Sequence, residues 1–377
     1  MTDWRVPLAD VEVGEPEIAA VTDTYRSGWL SMGPRTEELE SAFADYVGAR
    51  HAVAVTNGTA ALHLICLAAS LGPGDEVIVP SLTFVATANA IRYVGATPVF
   101  ADIAGLDRPW LSAEASEKVA GKGTKAIMNM TYGGHPGESA ELAALAADRG
   151  LILLEDAAHG LGGRSGDRHL GTFGLAGAFS FFANKNLPVG EGGMLVTDDN
   201  EFASRARLLR SHGMTTATWD RHRGHAAGYD VIELGFNYRI DEARAAFATA
   251  RLGRLDADNE LRARAAALYG ERLEGLEGVS PAMPAAPDSV PAHHLFTVVV
   301  DESVDRDGVR AHLADRRVQT SLHYPPVHRF TTFAEDLELP LTEEYAARAI
   351  TLPLFPGIRE EQIELVVEGM SEALAHG

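Results

Sequence analysis

"HAVAVTNGTAALHLICLAAS", residues 51–70, reads as a strand running directly into a helix. "HAVAV" is short, apolar and rich in valine, whereas "TAALHLICLAAS" is alanine- and leucine-rich with no breaker. The same alternation continues downstream. "EVIVP" precedes a helical "FVATANAIRYV" and then "TPVFAD", and "KAIMNM" leads to the helical "SAELAALAADRG" and "LILLED". "AFSFF" and "GMLVT" follow, and a helical "NEFASRARLLRSH" closes the series. Short apolar strands separated by helices of this length predict an α/β fold with a mostly parallel sheet covered on both faces.

Beyond this the pattern changes. "DEARAAFATARLGRLDADNELRARAAALYGERL" reads as one long helical stretch from about residue 241. "SPAMPAAPDSVPAHH" then places prolines at 281, 284, 287 and 291, a composition shift typical of a connector. A strand "LFTVVV", a helix "DGVRAHLADRR", a strand-like "VQTSLHY" and a last amphipathic helix complete the chain. In that helix Ile363, Val366, Val367, Met370 and Leu374 share one face. The expectation is a large domain over residues 1–250 and a smaller C-terminal α+β domain over 251–377 that includes the bridging helix.

Composition narrows the function. With 46% hydrophobic and 23% charged residues in 377, the chain has an ordinary soluble globular make-up. Its N-terminus has no basic-then-apolar signal pattern, and no apolar run approaches the roughly 20 residues of a membrane span. A cytoplasmic protein is expected. The net charge of −21 argues against nucleic acid and anionic membranes, which need a basic footprint, but a small anionic ligand needs only local donors. The single cysteine, Cys66, excludes an internal disulfide. The histidines are scattered and no spacing resembles HExxH, so no metal is expected. "GLGG" at 160–163 lacks the full GxGxxG spacing and is rejected as a dinucleotide fingerprint.

One lysine is out of character. The chain has 32 basic residues, of which only Lys118, Lys122, Lys125 and Lys185 are lysines. The first three crowd one polar stretch, while Lys185 stands alone in "FSFFANKNLPVGEGG". An arginine stays protonated, whereas a desolvated lysine can fall from its usual pKa of roughly 10.4 and become a nucleophile for carbonyls, including pyridoxal phosphate.

Three motifs belong at the carboxyl edge of the sheet, where ligands of parallel α/β folds gather. "TNGTAAL" sets Gly58 and Thr59 between strand and helix, so that free backbone N–H groups can hold a phosphate, although Gly-Thr also makes an ordinary cap. "LILLEDAAHG" ends an apolar strand in Glu155-Asp156, either a cap or a partner for a buried cation such as a pyridinium nitrogen. Ser180 points opposite to Phe179 and Phe181 on its strand, five residues before Lys185. Phe84 could stack on an aromatic ring or sit in the core.

The order of these features resembles the fold-type I pyridoxal phosphate enzymes. More narrowly, the chain resembles the DegT–StrS group of nucleotide-sugar aminotransferases. The likeness runs along nearly all of it, through "RSGWLSMGP", "GPGDEVIVPSLTFVATANAI", "GATPVFADI", "LEDAAHGLGG", "FSFFANKNLPVGEGGM", "ELGFNYRI", "LHYPPVH" and "LPLFPGI". The resemblance implies Lys185 as the Schiff-base lysine and Asp156 as the pyridinium partner. It implies Gly58, Thr59 and Ser180 at the phosphate, Phe84 on the ring, and His159 near the phenolic oxygen. Asn237 would reach the phosphate of a second subunit, hence a homodimer. Substrate contacts are implied for Trp29, Leu30, Ser31, Arg239, His323 and Tyr324.

Two departures stand out: Asn184 replaces the family's frequent threonine or serine before the lysine, and "MTYGGHPG" is richer in glycine. The implied reaction passes an amino group from glutamate to a keto sugar nucleotide. A sugar dehydratase of the same family has histidine in place of the lysine, so Lys185 counts against it. A non-catalytic sugar-nucleotide binder would not need the lysine, aspartate, serine and phosphate cup together. "GWLSMGP", "GEGGM" and "GFNYR" look more like enzymes acting at C4 of the sugar than at C3. Arg221 and Arg223 in "WDRHRGHAAGYD" are expected either in a flap over the substrate's diphosphate or in a solvated loop.

Overall fold

The computed structural model describes residues 4–215, 228–334 and 336–376; the Arg221–Arg223 segment lies outside them. A seven-stranded sheet forms the centre, in the spatial order β1, β9, β8, β5, β4, β2, β3. These are β1 (His51–Val55), β2 (Glu76–Pro80), β3 (Thr97–Ala101), β4 (Thr124–Met130), β5 (Ile152–Asp156), β8 (Ala176–Ser180) and β9 (Gly193–Thr197). All pairs from β3 to β8 are parallel, and only β9 runs against its neighbours. The strands are apolar on both sides because helices cover both faces. On one face the helix Gly58–Ala68 buries Leu64 and Ile65 with Val53, Val79 and Leu154. On the other, Phe179 and Phe181 pack on Phe43 with ring centroids 5.1 and 5.7 Å apart.

Two short antiparallel sheets flank this body. One joins β6 (Arg164–Ser165) and β7 (Arg168–His169) to β11 (Ser289–Val290) from the proline-rich stretch. The other joins β10 (Val279–Pro281), β12 (Phe296–Val300) and β13 (Ala349–Leu352). It builds a second core with the final helix, where Ile363, Val366 and Met370 are buried and Val367 and Leu374 pack alongside. Val6, from the start of the chain, is buried in this second core and pairs with Val318.

The structure corrects two local expectations. The stretch from 241 onward is two helices, Glu242–Leu252 and Leu255–Leu273. At the break, Arg254 N–H bonds back three residues to the Arg251 carbonyl. Gly253 supplies no side chain to hold the helix straight, and buried Arg251 reaches both Glu17 at 3.4 Å and Asp258 at 3.5 Å around the corner. "VQTSLHY" forms no strand; it makes only isolated bridges, Val318 to Val6 and Ser321 to Thr351.

Candidate active site

The carboxyl ends of the parallel strands converge on a cavity of about 680 Å³. Gly58 and Thr59 follow β1, Met130 ends β4, Asp156 ends β5, and Ser180 ends β8; all line it, together with Phe84, His159, Lys185, His323 and Tyr324. Strand alternation explains the pairing: Phe179 and Phe181 go into the core and Ser180 faces the cavity.

The same alternation separates the two adjacent carboxylates. Glu155 turns away and accepts the N–H groups of Gly171 at 3.0 Å and Gly174 at 2.8 Å, with burial pushing its pKa up to about 7. Asp156 faces the cavity and is 3% exposed. It accepts the Thr87 hydroxyl at 2.7 Å and the Ala158 N–H at 3.1 Å. Burial raises its pKa, and these two donors and the Lys185 charge oppose the rise. Lys185 is pushed down to about 8 by burial, against the pull of Asp156. A lysine and an aspartate thus share one cavity, each destabilised as an ion by loss of water.

The start of the helix Gly58–Ala68 forms part of the cavity wall. Asn57 caps it, accepting Ala60 N–H on its side chain at 2.8 Å and Ala61 N–H on its carbonyl at 3.2 Å. The N–H groups of Gly58 and Thr59 remain at the helix mouth, where the dipole favours an anion. A Cβ at Gly193, on β9, would come within 2.6 Å of the Asn57 carbonyl, so this cradle tolerates only glycine there.

The rim is aromatic. Phe84 is 54% exposed, its ring 6.0 Å from that of Tyr324. His63, Tyr93 and Tyr238, none foreseen in the sequence, also line the cavity, with His63 Nδ1 3.0 Å from the Tyr238 hydroxyl. Thr87 was also missed. Its signal was faint, a threonine one turn after Phe84 on the face that turns toward β5.

Not every expected residue is on this wall. Asn184 and His323 line it, and both also border a second, smaller cavity. Trp29, Leu30 and Ser31 lie outside it: their loop is held to the helix Glu242–Leu252, whose Glu242 carboxylate accepts the N–H groups of Gly33, Arg35 and Thr36. Asn237, exposed and bridged to Ser211, and Arg239, half-buried, also lie off the wall of a single chain. Among the described residues, no three metal-ligating side chains are gathered and no helix is long and apolar enough to cross a membrane.

A doubly covered parallel sheet with a lysine and an acid at its carboxyl edge is the framework of the fold-type I aminotransferases. The model of the DegT/DnrJ/EryC1/StrS aminotransferase family matches residues 11–371, and the chain belongs to that family. It is 38% identical to the spore coat polysaccharide biosynthesis protein SpsC of Bacillus subtilis (strain 168), over 98% of this chain and 96% of SpsC. The aminotransferase TlmJ from Streptoalloteichus hindustanus superposes with a TM-score of 0.93 at 33% identity, covering 98% of this chain and 99% of TlmJ. S. venezuelae DesV, solved in complex with a ketimine intermediate, gives a TM-score of 0.90 at 36% identity, covering 98% of each chain. The protein is an aminotransferase.

Proposed function

We propose that this protein is a cytoplasmic, pyridoxal phosphate-dependent aminotransferase that moves an amino group from glutamate to the keto group of a sugar nucleotide. The observation that carries this is Lys185, with its pKa lowered to about 8, on the wall of the cavity that holds buried Asp156.

The residues present fit the cofactor. Gly58 and Thr59 N–H groups and the Ser180 hydroxyl suit its phosphate, the exposed face of Phe84 its ring, and the Asp156 carboxylate its ring N–H. When bound, pyridoxal phosphate supplies an electron sink for the carbon that loses and gains a proton. Lys185 would hold the group, and its freed Nζ would carry that proton to and from the reacting carbon. Asp156 would keep the ring nitrogen protonated, oriented by Thr87 and Ala158. Asn237, exposed and off the wall of its own cavity, would serve the phosphate site of a second copy, making the enzyme a homodimer with shared sites. Trp29 to Ser31 and Arg239 would then meet substrate across the same contact.

For the substrate we favour a dTDP-linked 4-keto-6-deoxyhexose aminated at C4. The likeness of "GWLSMGP", "GEGGM" and "GFNYR" to enzymes acting at that carbon supports it, and the name of SpsC, a polysaccharide biosynthesis protein, supports sugar chemistry in general. A diphosphate entering a chain of net charge −21 needs local cations, for which Arg221, Arg223 and Arg239 are the candidates. NMR of the product formed with glutamate from a panel of keto sugar nucleotides tests this reading. Nitrogen on C3, or no product from any 4-keto substrate, would remove the assignment to C4.

A further inference from the structure

The hydrogen bonds around His159 decide which way the Tyr324 hydroxyl can point. Gly133 N–H donates to His159 Nδ1 at 3.3 Å, and Tyr324 Oη lies 3.0 Å from Nε2. A ring nitrogen that accepts an N–H cannot itself carry a hydrogen. That excludes both the imidazolium and the Nδ1–H tautomer, and leaves the proton of a neutral ring on Nε2. The surroundings agree: His159 is buried, and burial followed by the Lys185 charge holds its pKa well below the ordinary histidine value. Nε2–H therefore donates to Tyr324 Oη, and the phenol's own proton has to go elsewhere.

The neighbours of Tyr324 leave one direction. Its ring faces Phe84 on one side and the edge of Tyr132 on another, with centroids 6.0 and 6.4 Å away. The Tyr132 hydroxyl donates to the His323 carbonyl, and among the described residues the hydrogen-bond partner of the Tyr324 hydroxyl is His159. What remains is the cavity that Tyr324 shares with Asp156 and Lys185. Burial pushes the Tyr324 pKa upward, so its proton stays in place at neutral pH.

We infer that Tyr324 is a hydrogen-bond donor aimed into the reaction cavity, set in that orientation by His159, and that it serves an oxygen acceptor bound beside Lys185. The inference rests on the proposed function. Two oxygens have the right chemistry, the phenolic oxygen of the pyridine ring and an oxygen of the sugar next to its keto carbon. Tyr324 is then a catalytic residue by contact, and His159 a positioning residue that acts through it.

Nitrogen-15 NMR of histidine-labelled protein without cofactor reads the tautomer directly. The expected His159 signals are a protonated Nε2 and a bare Nδ1 across neutral pH. Tyr324→Phe should keep the fold and that tautomer while losing the donor. If the donor serves the ring oxygen, the visible band of the cofactor-loaded variant moves and cofactor affinity falls about tenfold. If it serves the sugar, the band stays and kcat/KM for the keto substrate falls about tenfold, with the glutamate half-reaction unchanged. His159→Gln, whose amide N–H can replace Nε2–H, should retain most of the rate, whereas His159→Leu should behave like Tyr324→Phe. A protonated Nδ1 with bare Nε2 overturns the inference, as does Tyr324→Phe with band, affinity and rates all unaltered. Because the tautomer is read without cofactor or substrate, failure here is distinct from failure of the proposed reaction.

Discussion

Gly58 and Ser180 approach so closely that a Cβ on Gly58 would stand 2.8 Å from the Ser180 Cβ. The start of a helix and the end of a strand are thereby brought together into one cup on the cavity wall, with backbone N–H groups on one side and a hydroxyl on the other. Gly58→Ala must push the two apart, which typically costs about 1–3 kcal/mol of overpacking. We expect pyridoxal phosphate affinity to fall at least about tenfold, which is 1.4 kcal/mol in equilibrium terms, measured by fluorescence titration. Unchanged affinity would mean that the cup does not hold the phosphate.

Lys185→Ala should abolish turnover while the protein folds, and Lys185→Arg should be equally inactive because a guanidinium cannot form the bond to a carbonyl. Steady-state assays of purified variants with circular dichroism as the folding control make the measurement. Wild-type rates in either variant would defeat the proposal.

Lys185 also predicts a pH dependence of stability. Its folded pKa of about 8 lies below the unfolded value of roughly 10.4. Between those values the unfolded chain binds the proton more, so the contribution of this group to stability rises with pH and levels off above the unfolded value. Denaturant titrations of unloaded wild type should gain stability relative to Lys185→Met across that window. A flat difference would show that the amine is not desolvated.

Thr87→Val removes a donor to Asp156 and keeps the volume of the side chain. The Asp156 pKa should rise further, so that activity is lost at a higher pH on acidification. A kcat–pH profile reads this, and an unmoved acidic limb would separate Thr87 from the reaction.

The account also requires two chains per site. Mixing inactive Lys185→Ala with inactive Asn237→Ala should restore part of the activity, since one site of the mixed dimer carries both native residues. A monomer in light scattering, or no recovery on mixing, would contradict it.

The sheet was legible because each strand is a short apolar run bounded by helix-forming sequence, and burial on both faces writes that pattern directly. Lys185 was legible through contrast with a chain that otherwise uses arginine. The choice of Asp156 over Glu155 came from the family resemblance and not from the local pattern, since neighbouring strand residues face opposite sides and only the assembled sheet says which side holds the cavity. Thr87 and Asp156 are 69 residues apart in the chain, and no local spacing announces their contact. The Gly253 break escaped notice because a single glycine in a helical pattern is usually tolerated; here the Arg251 contacts with Glu17 and Asp258 settle the bend.

The claim that Lys185 carries the cofactor has a direct test that needs no knowledge of the substrate. Purified protein loaded with pyridoxal phosphate is reduced with borohydride, digested, and mapped by peptide mass spectrometry. The chain has four lysines, which makes the assignment unambiguous. The account predicts one pyridoxyl phosphate adduct, on Lys185, and none when the protein is first treated with excess glutamate. An adduct confined to Lys118, Lys122 or Lys125, or no adduct at all, would contradict it.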